Sequence, residues 1–339
     1  MIQTLLFDRS GKNPVEVEPS WDNITWRLNK TGEAKFTLPY SDPKCTPDNL
    51  RYGNRVLIRF DNGLPSFGGV IDVPRRHSQD GVTVSIYDAS RILSWRLSQK
   101  TATFTSEDPG TIFQSLIEDM NATFQTGIAV GGVYTGGAVR TETYHYAKLL
   151  DEIFSLQRLS GNDWEIVPSY ESGVLEFVAY WYERQGVDKS DSVLLSEGLN
   201  IEDVQLDEQG PLGNHIYLPG GGAGGTSWND RAIGEKEDDA SRNLYDLREY
   251  VEVQTSVFDQ ITLDNSATTL LSEMAYPKRR FAPRAINRDP AHFADYDIGD
   301  ILTMQALTIH SLWTFDGTIR ILGREFSKDG TCKLEVEEW

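Results

Sequence analysis

Ile298-Gly299-Asp300-Ile301-Leu302-Thr303-Met304-Gln305-Ala306 reads as a second edition of Tyr52-Gly53-Asn54-Arg55-Val56-Leu57-Ile58-Arg59-Phe60. Each stretch has a glycine at the mouth of a strand, then apolar residues at alternate positions: Val56, Ile58 and Phe60 against Leu302, Met304 and Ala306. Further on, Phe67, Gly69, Ile71 and Val73 fall on Phe315, Gly317, Ile319 and Ile321. Val82, Val84 and Ile86 then fall on Cys332, Leu334 and Val336, each run following an Asp-Gly turn (Asp80-Gly81, Asp329-Gly330). The register slips by two residues between successive strands. Side chains alternate faces along a strand, so an even slip keeps the buried face buried. Antiparallel meanders resemble one another through shared Gly turns and alternation. The paired Phe and Gly positions and the even slip favour an internal duplication over that explanation.

Working outward, the first stretch is strand-rich to about Arg96. Trp26-Arg27-Leu28 and Glu33 to Leu38 alternate across Asn29-Lys30-Thr31-Gly32, a hairpin signal. Arg55 and Arg59 lie on the face opposite Val56, Ile58 and Phe60, which predicts a sheet with one solvated face. From about 97 to 195 the period changes. Asp108-Pro109 is a helix start, followed by a stripe of Ile112, Phe113, Leu116, Ile117 and Met120. A second helix is expected from Tyr146 to Leu159, stopped by Gly161, and a hairpin from Trp164 to Val178. From 196 the chain is again mostly strands, interrupted by a glycine run and an acidic segment. A short helix is expected to begin near Asp264-Asn265 and to end before Pro277, with Pro283, Pro290 and Asp295 dividing the next stretch into short strands. The expected fold is mainly β with an α+β insert. It comprises a first β-barrel over 1–96, an α+β domain over 97–195 and a second barrel over 196–339, with a small inserted subdomain at about 220–280.

Composition bounds the function. A chain of 339 residues with 39% hydrophobic and 24% charged residues is long and apolar enough for several packed units. A net charge of −19 disfavours stable binding to nucleic acid or an anionic leaflet, yet suits a passage through which DNA slides without sticking. No signal peptide and no membrane span are expected. Cys45 and Cys332 make no disulfide framework, and the N-x-[ST] triplets at Asn23, Asn29 and Asn121 are chance matches.

The chemistry-bearing candidates each meet a plainer reading. Gly220, Gly222 and Gly225 match G-x-G-x-x-G after His215-Ile216-Tyr217-Leu218, but no apolar helix comes after and no Lys follows Gly225, so a loop is expected rather than a nucleotide site. His77, His145, His215, His292 and His310 show no metal-ligand spacing, and no G-x-S-x-G occurs. Glu165 and Glu176 could share a hairpin face as paired carboxylates, although their alternation with Trp164, Ile166, Leu175 and Phe177 turns both toward water. Tyr180-Trp181-Tyr182, near Tyr170, could stack a sugar, although Trp181 must point away from the two tyrosines. Lys278-Arg279-Arg280 and Arg75-Arg76-His77 are basic clusters in an acidic chain. The first suits the end of a helix, and both suit contacts with an acidic neighbouring subunit. No catalytic, cofactor-binding or metal residues are assigned.

With two barrels and an α+β insert in view, the sequence resembles the baseplate-hub, or tail-tip, proteins of tailed bacteriophages and related contractile injection systems. The resemblance rests on Trp26-Arg27-Leu28 with Gly32 to Phe36, on Gly53 to Ile58, and on Phe67-Gly68-Gly69-Val70-Ile71. It continues in Trp164-Glu165, in Leu175-Glu176-Phe177 and in the split second barrel ending at Trp339. It is architectural and covers most of the chain. It implies two barrels like a tail-tube subunit, and a homotrimer that sets six barrels around a lumen, so that a six-fold tube meets a three-fold tip. It further implies a non-enzymatic virion protein at the tail tip, assembled in the host cytoplasm. The implied neighbours are a tail-tube ring, a distal tail protein, a tip fibre or spike and a tape-measure protein, with DNA passing through the lumen unbound. Longer members append peptidoglycan-cleaving or fibre domains; the end at the second barrel makes that activity doubtful here. The alternatives are a receptor- or glycan-binding tail protein using Tyr180-Trp181-Tyr182 and, third, a cell-wall hydrolase using Glu165 and Glu176.

Overall fold

The computed structural model describes residues 2–98, 101–222, 227, 230–309 and 313–339. The first module holds β1 (Ile2–Phe7), β2 (Val15–Val17), β3 (Ser20–Arg27), β4 (Glu33–Pro39), β5 (Arg55–Phe60), β6 (Phe67–His77) and β7 (Gly81–Asp88), followed by α1 (Ser90–Ser94). An α+β module holds β8 (Ala102–Glu107), α2 (Pro109–Thr123), β9 (Ile128–Val133), β10 (Arg140–Tyr144), α3 (Leu149–Ser160), β11 (Asp163–Glu171) and β12 (Val174–Tyr182). Next come β13 (Leu194–Ser196) and β14 (Ile201–Gln209). A small unit follows: β15 (His215–Pro219), β16 (Ile233–Glu237), α4 (Asp239–Tyr245), β17 (Glu249–Val251) and α5 (Gln260–Met274). β18 (Lys278–Ala285), β19 (Ile301–Ile309), β20 (Trp313–Ser327) and β21 (Cys332–Glu338) complete the chain.

The two ends are copies in their hydrogen bonds as well as in their pattern. Strands run β3-β4-β7-β6-β5-β1 in the first module and β14-β18-β21-β20-β19-β13 in the second. Gly53 N–H donates to Ile71 O at 2.9 Å and Ile71 N–H to Asn54 O at 2.9 Å; Gly299 N–H donates to Ile321 O at 2.8 Å and Ile321 N–H to Asp300 O at 3.0 Å. Both glycines have positive φ, +83° and +89°, a conformation that costs a side-chain-bearing residue. Arg75 donates to Leu50 O at 2.8 Å with its guanidinium 4.7 Å from the Tyr52 ring, and Arg324 donates to Tyr296 O at 2.9 Å with its guanidinium 4.8 Å from the Tyr296 ring. Matching bulges interrupt β3–β4 and β14–β18, and β6–β7 and β20–β21.

β6 and β20 correspond in a register different from their sequence pattern. Val56 pairs with Gly69 and Leu302 with Ile319, so Phe67 corresponds to Gly317, Gly69 to Ile319 and Ile71 to Ile321. The pattern match at this strand is two residues out, still in phase with the pleat. The cause is a longer hairpin arm in the second copy, where pairing continues to Ile309 and Trp313, while β5–β6 pairing ends at Ile58 and Phe67.

Each copy wraps its own core. Ile24, Phe36, Val56, Ile58, Ile71, Val84 and Ile86 fill the first, and Leu302, Met304, Ile319, Ile321, Leu334 and Val336 the second. The copies are also hydrogen-bonded to each other. β20 pairs with β3, fusing them into one 13-stranded sheet. Trp26, Phe60, Phe67 and Phe326 seal that joint with ring centroids 5.6–5.9 Å apart. Burial of such aromatic surface is the dominant stabilising term available there.

The α+β module covers the outside of β1, β5 and β6. Leu5, Phe7, Leu57 and Val70 share a core with Ile112, Phe113, Ile117, Ile153, Phe177 and Trp181. The solvated face expected around Arg55 and Arg59 is therefore a buried docking face. Arg55 is 5% exposed and donates to Leu175 O at 2.5 Å and Thr126 O at 2.9 Å, while Arg59 lies over the Tyr170 ring. α2 starts where Asp108-Pro109 places it, with the Asp108 carboxylate accepting from Gly110 N–H at 2.7 Å. α3 begins at Leu149, after the expected Tyr146, because Tyr146 sits at φ +47°.

The small unit packs α5 on the sheet β16-β15-β17 through Ile216, Leu218, Leu263, Ala267 and Leu270. α5 starts at Gln260, earlier than Asp264. Asp259 caps it by accepting from Ile261 and Thr262 N–H, which overrides the weak helix preference of β-branched residues. The unit occupies the connection between β14 and β18, the counterpart of the short β3–β4 hairpin loop. Pro283 does not break its strand. It lies within β18 opposite Val204, next to the bulge, where its missing N–H costs least.

Candidate functional site

The surfaces that carry most information are strand edges. Inside the chain, the β3–β20 joint sets Gly323 opposite Arg27, Arg324 opposite Trp26, Glu325 opposite Thr25 and Phe326 opposite Ile24. Asn23 adds a side-chain bond to Glu325 at 3.0 Å, and Leu28 N–H donates to Leu322 O at 2.8 Å. At the far end of the sheet, β14 pairs with β18 on one side and, among the described residues, with no strand on the other. That edge carries Glu202, Asp203, Asp207 and Glu208, all exposed. In the first copy β5 pairs β6 only over Phe67 to Val70, so the backbone of Arg75, Arg76 and His77 pairs, among the described residues, with β7 alone. Arg76 and His77 are exposed there.

The basic clusters thus part company. Lys278 and Arg280 bond Glu337 at 3.1 Å, and Arg279 lies 3.5 Å from Glu208 and 3.6 Å from Glu338, so this cluster is matched by carboxylates within the chain. In the other cluster, His77 accepts or donates a 2.9 Å bond with Tyr40 OH, while Arg76 makes no ion pair among the described residues.

A second cluster holds the modules together. Arg320, on β20, forms an ion pair with Asp163 at the start of β11, and both side chains are buried. Arg320 also donates to Gln185 O at 3.0 Å and Gly299 O at 3.2 Å. Asp163 accepts from Asn29 Nδ2 at 2.7 Å and Gln185 N–H at 2.9 Å, and Asn29 Oδ1 accepts from Trp164 N–H at 2.8 Å. Nothing local in the sequence signals this cluster, because its members come from all three modules.

The catalytic and ligand candidates do not assemble. Glu165 pairs opposite Tyr180 and Glu176 opposite Ser169, four residues apart along one strand, roughly 14 Å at about 3.4 Å per residue. Glu165 accepts from Tyr182 OH at 2.7 Å and Gln185 Nε2 at 2.9 Å instead of facing water, and burial raises its pKa; Glu176 is exposed. Trp181 is 1% exposed and packs 5.0 Å from Phe113, so it is closed to a sugar; Tyr180 and Tyr182 stack on each other at 6.0 Å on the other face, as the strand alternation predicts. Of the G-x-G-x-x-G stretch, Gly220 extends the β15 edge by donating to Ala232 O at 2.8 Å, and Gly225 lies outside the described residues. His215 bonds Glu235 at 2.8 Å, His292 bonds Asp289 at 3.3 Å and His145 bonds Thr101 at 3.1 Å; His310 lies outside the described residues. Among the described residues no group of three or more metal-ligating side chains occurs, and no helix is long and apolar enough to cross a membrane.

No protein-family model and no curated protein sequence matches the chain. Solved structures do match it in fold. The 43 kDa tail protein of prophage MuSo2 from Shewanella oneidensis aligns with TM-score 0.64 at 12% identity over 99% of this chain and 98% of that one. A tail protein from Neisseria meningitidis MC58 aligns with TM-score 0.62 at 14% identity, covering 99% and 96%. The E. coli c3393 protein aligns with TM-score 0.53 at 11% identity, covering 95% and 74%. It is described as a component of the type VI secretion system with structural similarity to the T4 bacteriophage tail proteins gp27 and gp5. Two copied modules in one sheet, with an α+β module docked across them, are thus a fold shared with phage tail proteins. Two of these neighbours are tail proteins and the third is likened to tail proteins, the class that the baseplate-hub resemblance anticipates.

Proposed function

We propose that this chain is a structural, non-enzymatic protein of a phage-type tail, and specifically its hub: a homotrimer that joins a six-fold tail tube to a three-fold tip. The observation that carries this reading is the β3–β20 joint, where two pseudo-equivalent modules already stand side by side in one sheet. Three such pairs make six tube-like modules in a ring, which reconciles the two symmetries. The fold shared with tail proteins, and with a protein likened to gp27 and gp5, supports the assignment. On this reading the chain is organised as modules 1–96, 97–195 and 196–339, with the insert at about 220–280. It sits at the virion tail tip among tube, distal tail, tape-measure and fibre or spike proteins. Its net charge of −19 suits a lumen that passes DNA without retaining it. Solution mass together with negative-stain imaging tests the proposal: a trimer with a three-fold ring and a central hole is expected, and a monomer seated outside the lumen overturns it.

A further inference from the structure

The joint between the two copies defines a docking rule that the chain's free edges can obey a second time. Ile24 pairs with Ala34, which pairs with Ile86; Leu206 pairs with Phe281, which pairs with Val336. Ile86 and Val336 correspond, because they face the corresponding residues Ile71 and Ile321. Leu206 is therefore the counterpart of Ile24, Asp207 of Thr25 and Glu208 of Trp26. On the other edge, Arg75 faces Val84 and Arg76 faces Thr83, while Arg324 faces Leu334 and Glu325 faces Lys333. Arg75 is thus the counterpart of Arg324, as their matching carbonyl and ring contacts also require, and Arg76 is the counterpart of Glu325.

Within the chain Arg324 pairs with Trp26 and Glu325 with Thr25. Exchanging each residue for its counterpart sets Arg75 opposite Glu208 and Arg76 opposite Asp207. We propose that residues 205–208 of β14 pair antiparallel with residues 75–78 of a second copy of this chain, repeating between subunits the joint that β3 and β20 make within one. The proposal rests on the hub reading and names the edges that close the ring. The occupant is a second copy because the register inherited from the internal joint brings opposite charges together at both positions. Neither edge residue of the Arg76–Asp207 pair has an ion-pair partner among the described residues, and both are exposed. The contact is head-to-tail, the kind that closes into a ring when its rotation permits. The internal joint sets neutral Thr25 opposite Glu325, so the two charge pairs mark the joint between subunits and disfavour mispairing of β14 with the acidic β20 edge.

The full chain tests this. Solution mass and negative-stain images are compared for the wild type, Arg76→Glu, Asp207→Arg and the double variant Arg76→Glu/Asp207→Arg. Each single reversal is expected to weaken association by about tenfold or more, with unchanged circular dichroism, and the double variant to restore it. As a second measurement, chains carrying Arg76→Cys and chains carrying Asp207→Cys are mixed and oxidised. Residues directly opposite across antiparallel strands lie within disulfide reach, so linked chains are expected. Rings that persist through both reversals without a cross-link overturn this edge and leave the hub reading standing. A wild type that remains monomeric at every concentration overturns the hub reading, and the edge falls with it.

Discussion

Arg320 and Asp163 form a buried ion pair across the seam between the second β copy and the α+β module, with Asn29 of the first copy bonded to the same carboxylate. Removing one partner of such a pair strands a charge away from water, which costs about 3–5 kcal/mol. Asp163→Ala is expected to destabilise the subunit by that order in urea or thermal unfolding. Arg320→Met/Asp163→Leu is expected to recover much of the loss, because it strands neither charge.

Gly53 and Gly299 are counterparts with unequal surroundings. A Cβ on Gly53 meets nothing closer than the flexible Arg9 side chain at 3.6 Å, whereas one on Gly299 meets the Gln185 carbonyl oxygen at 2.5 Å. Gly53→Ala is expected to cost about 1 kcal/mol, from its positive φ alone. Gly299→Ala is expected to cost several times more and to loosen the 185–187 segment, which protease susceptibility will report.

Trp181 is a core residue and Tyr180 is not. Trp181→Ala is expected to lower stability by about 3–5 kcal/mol, while Tyr180→Ala changes it by less than about 1 kcal/mol. If Tyr180→Ala abolished glycan binding in a carbohydrate array, the receptor-binding alternative would gain the support that a buried Trp181 denies it.

Burial pushes the Asp88 carboxyl up to about 6, and burial with the neighbouring Glu142 and Asp151 charges pushes Glu152 up to about 7. Unfolded carboxyls titrate near 4. Between those values the folded chain binds more protons than the unfolded one, so stability falls as pH rises from about 4 to 7 and then levels off. The thermal midpoint is expected to be higher at pH 6 than at pH 8, and Glu152→Gln to shrink that difference. An equal difference in wild type and variant would show that Asp88 and the acidic surface, not Glu152, set the slope.

Local signals were strong where the responsible residues are neighbours in sequence. Asp108-Pro109 with the stripe through Met120 marks α2, and alternation with the Gly53 and Gly299 pair reveals the duplication, although the Phe and Gly matches read at β6 and β20 are out of register. Distance in sequence hides the rest. Arg55 reads as solvated because its acceptors, the carbonyl oxygens of Leu175 and Thr126, belong to another module. The slip at β6 and β20 arises from a difference in hairpin length that leaves the alternation intact. The acidic β14 edge reads as an ordinary polar strand until β18 is seen to be, among the described residues, its one strand partner.

β1 runs antiparallel to β5, whereas β13 runs parallel to β19. The repeated unit is therefore five-stranded, β3 to β7 in one copy and β14 with β18 to β21 in the other, and the sixth position is taken by β1 running one way and by β13 running the other. Either direction completes the sheet, so the chain can enter the second copy straight from the α+β module through β13, with the pairing of the other five strands kept.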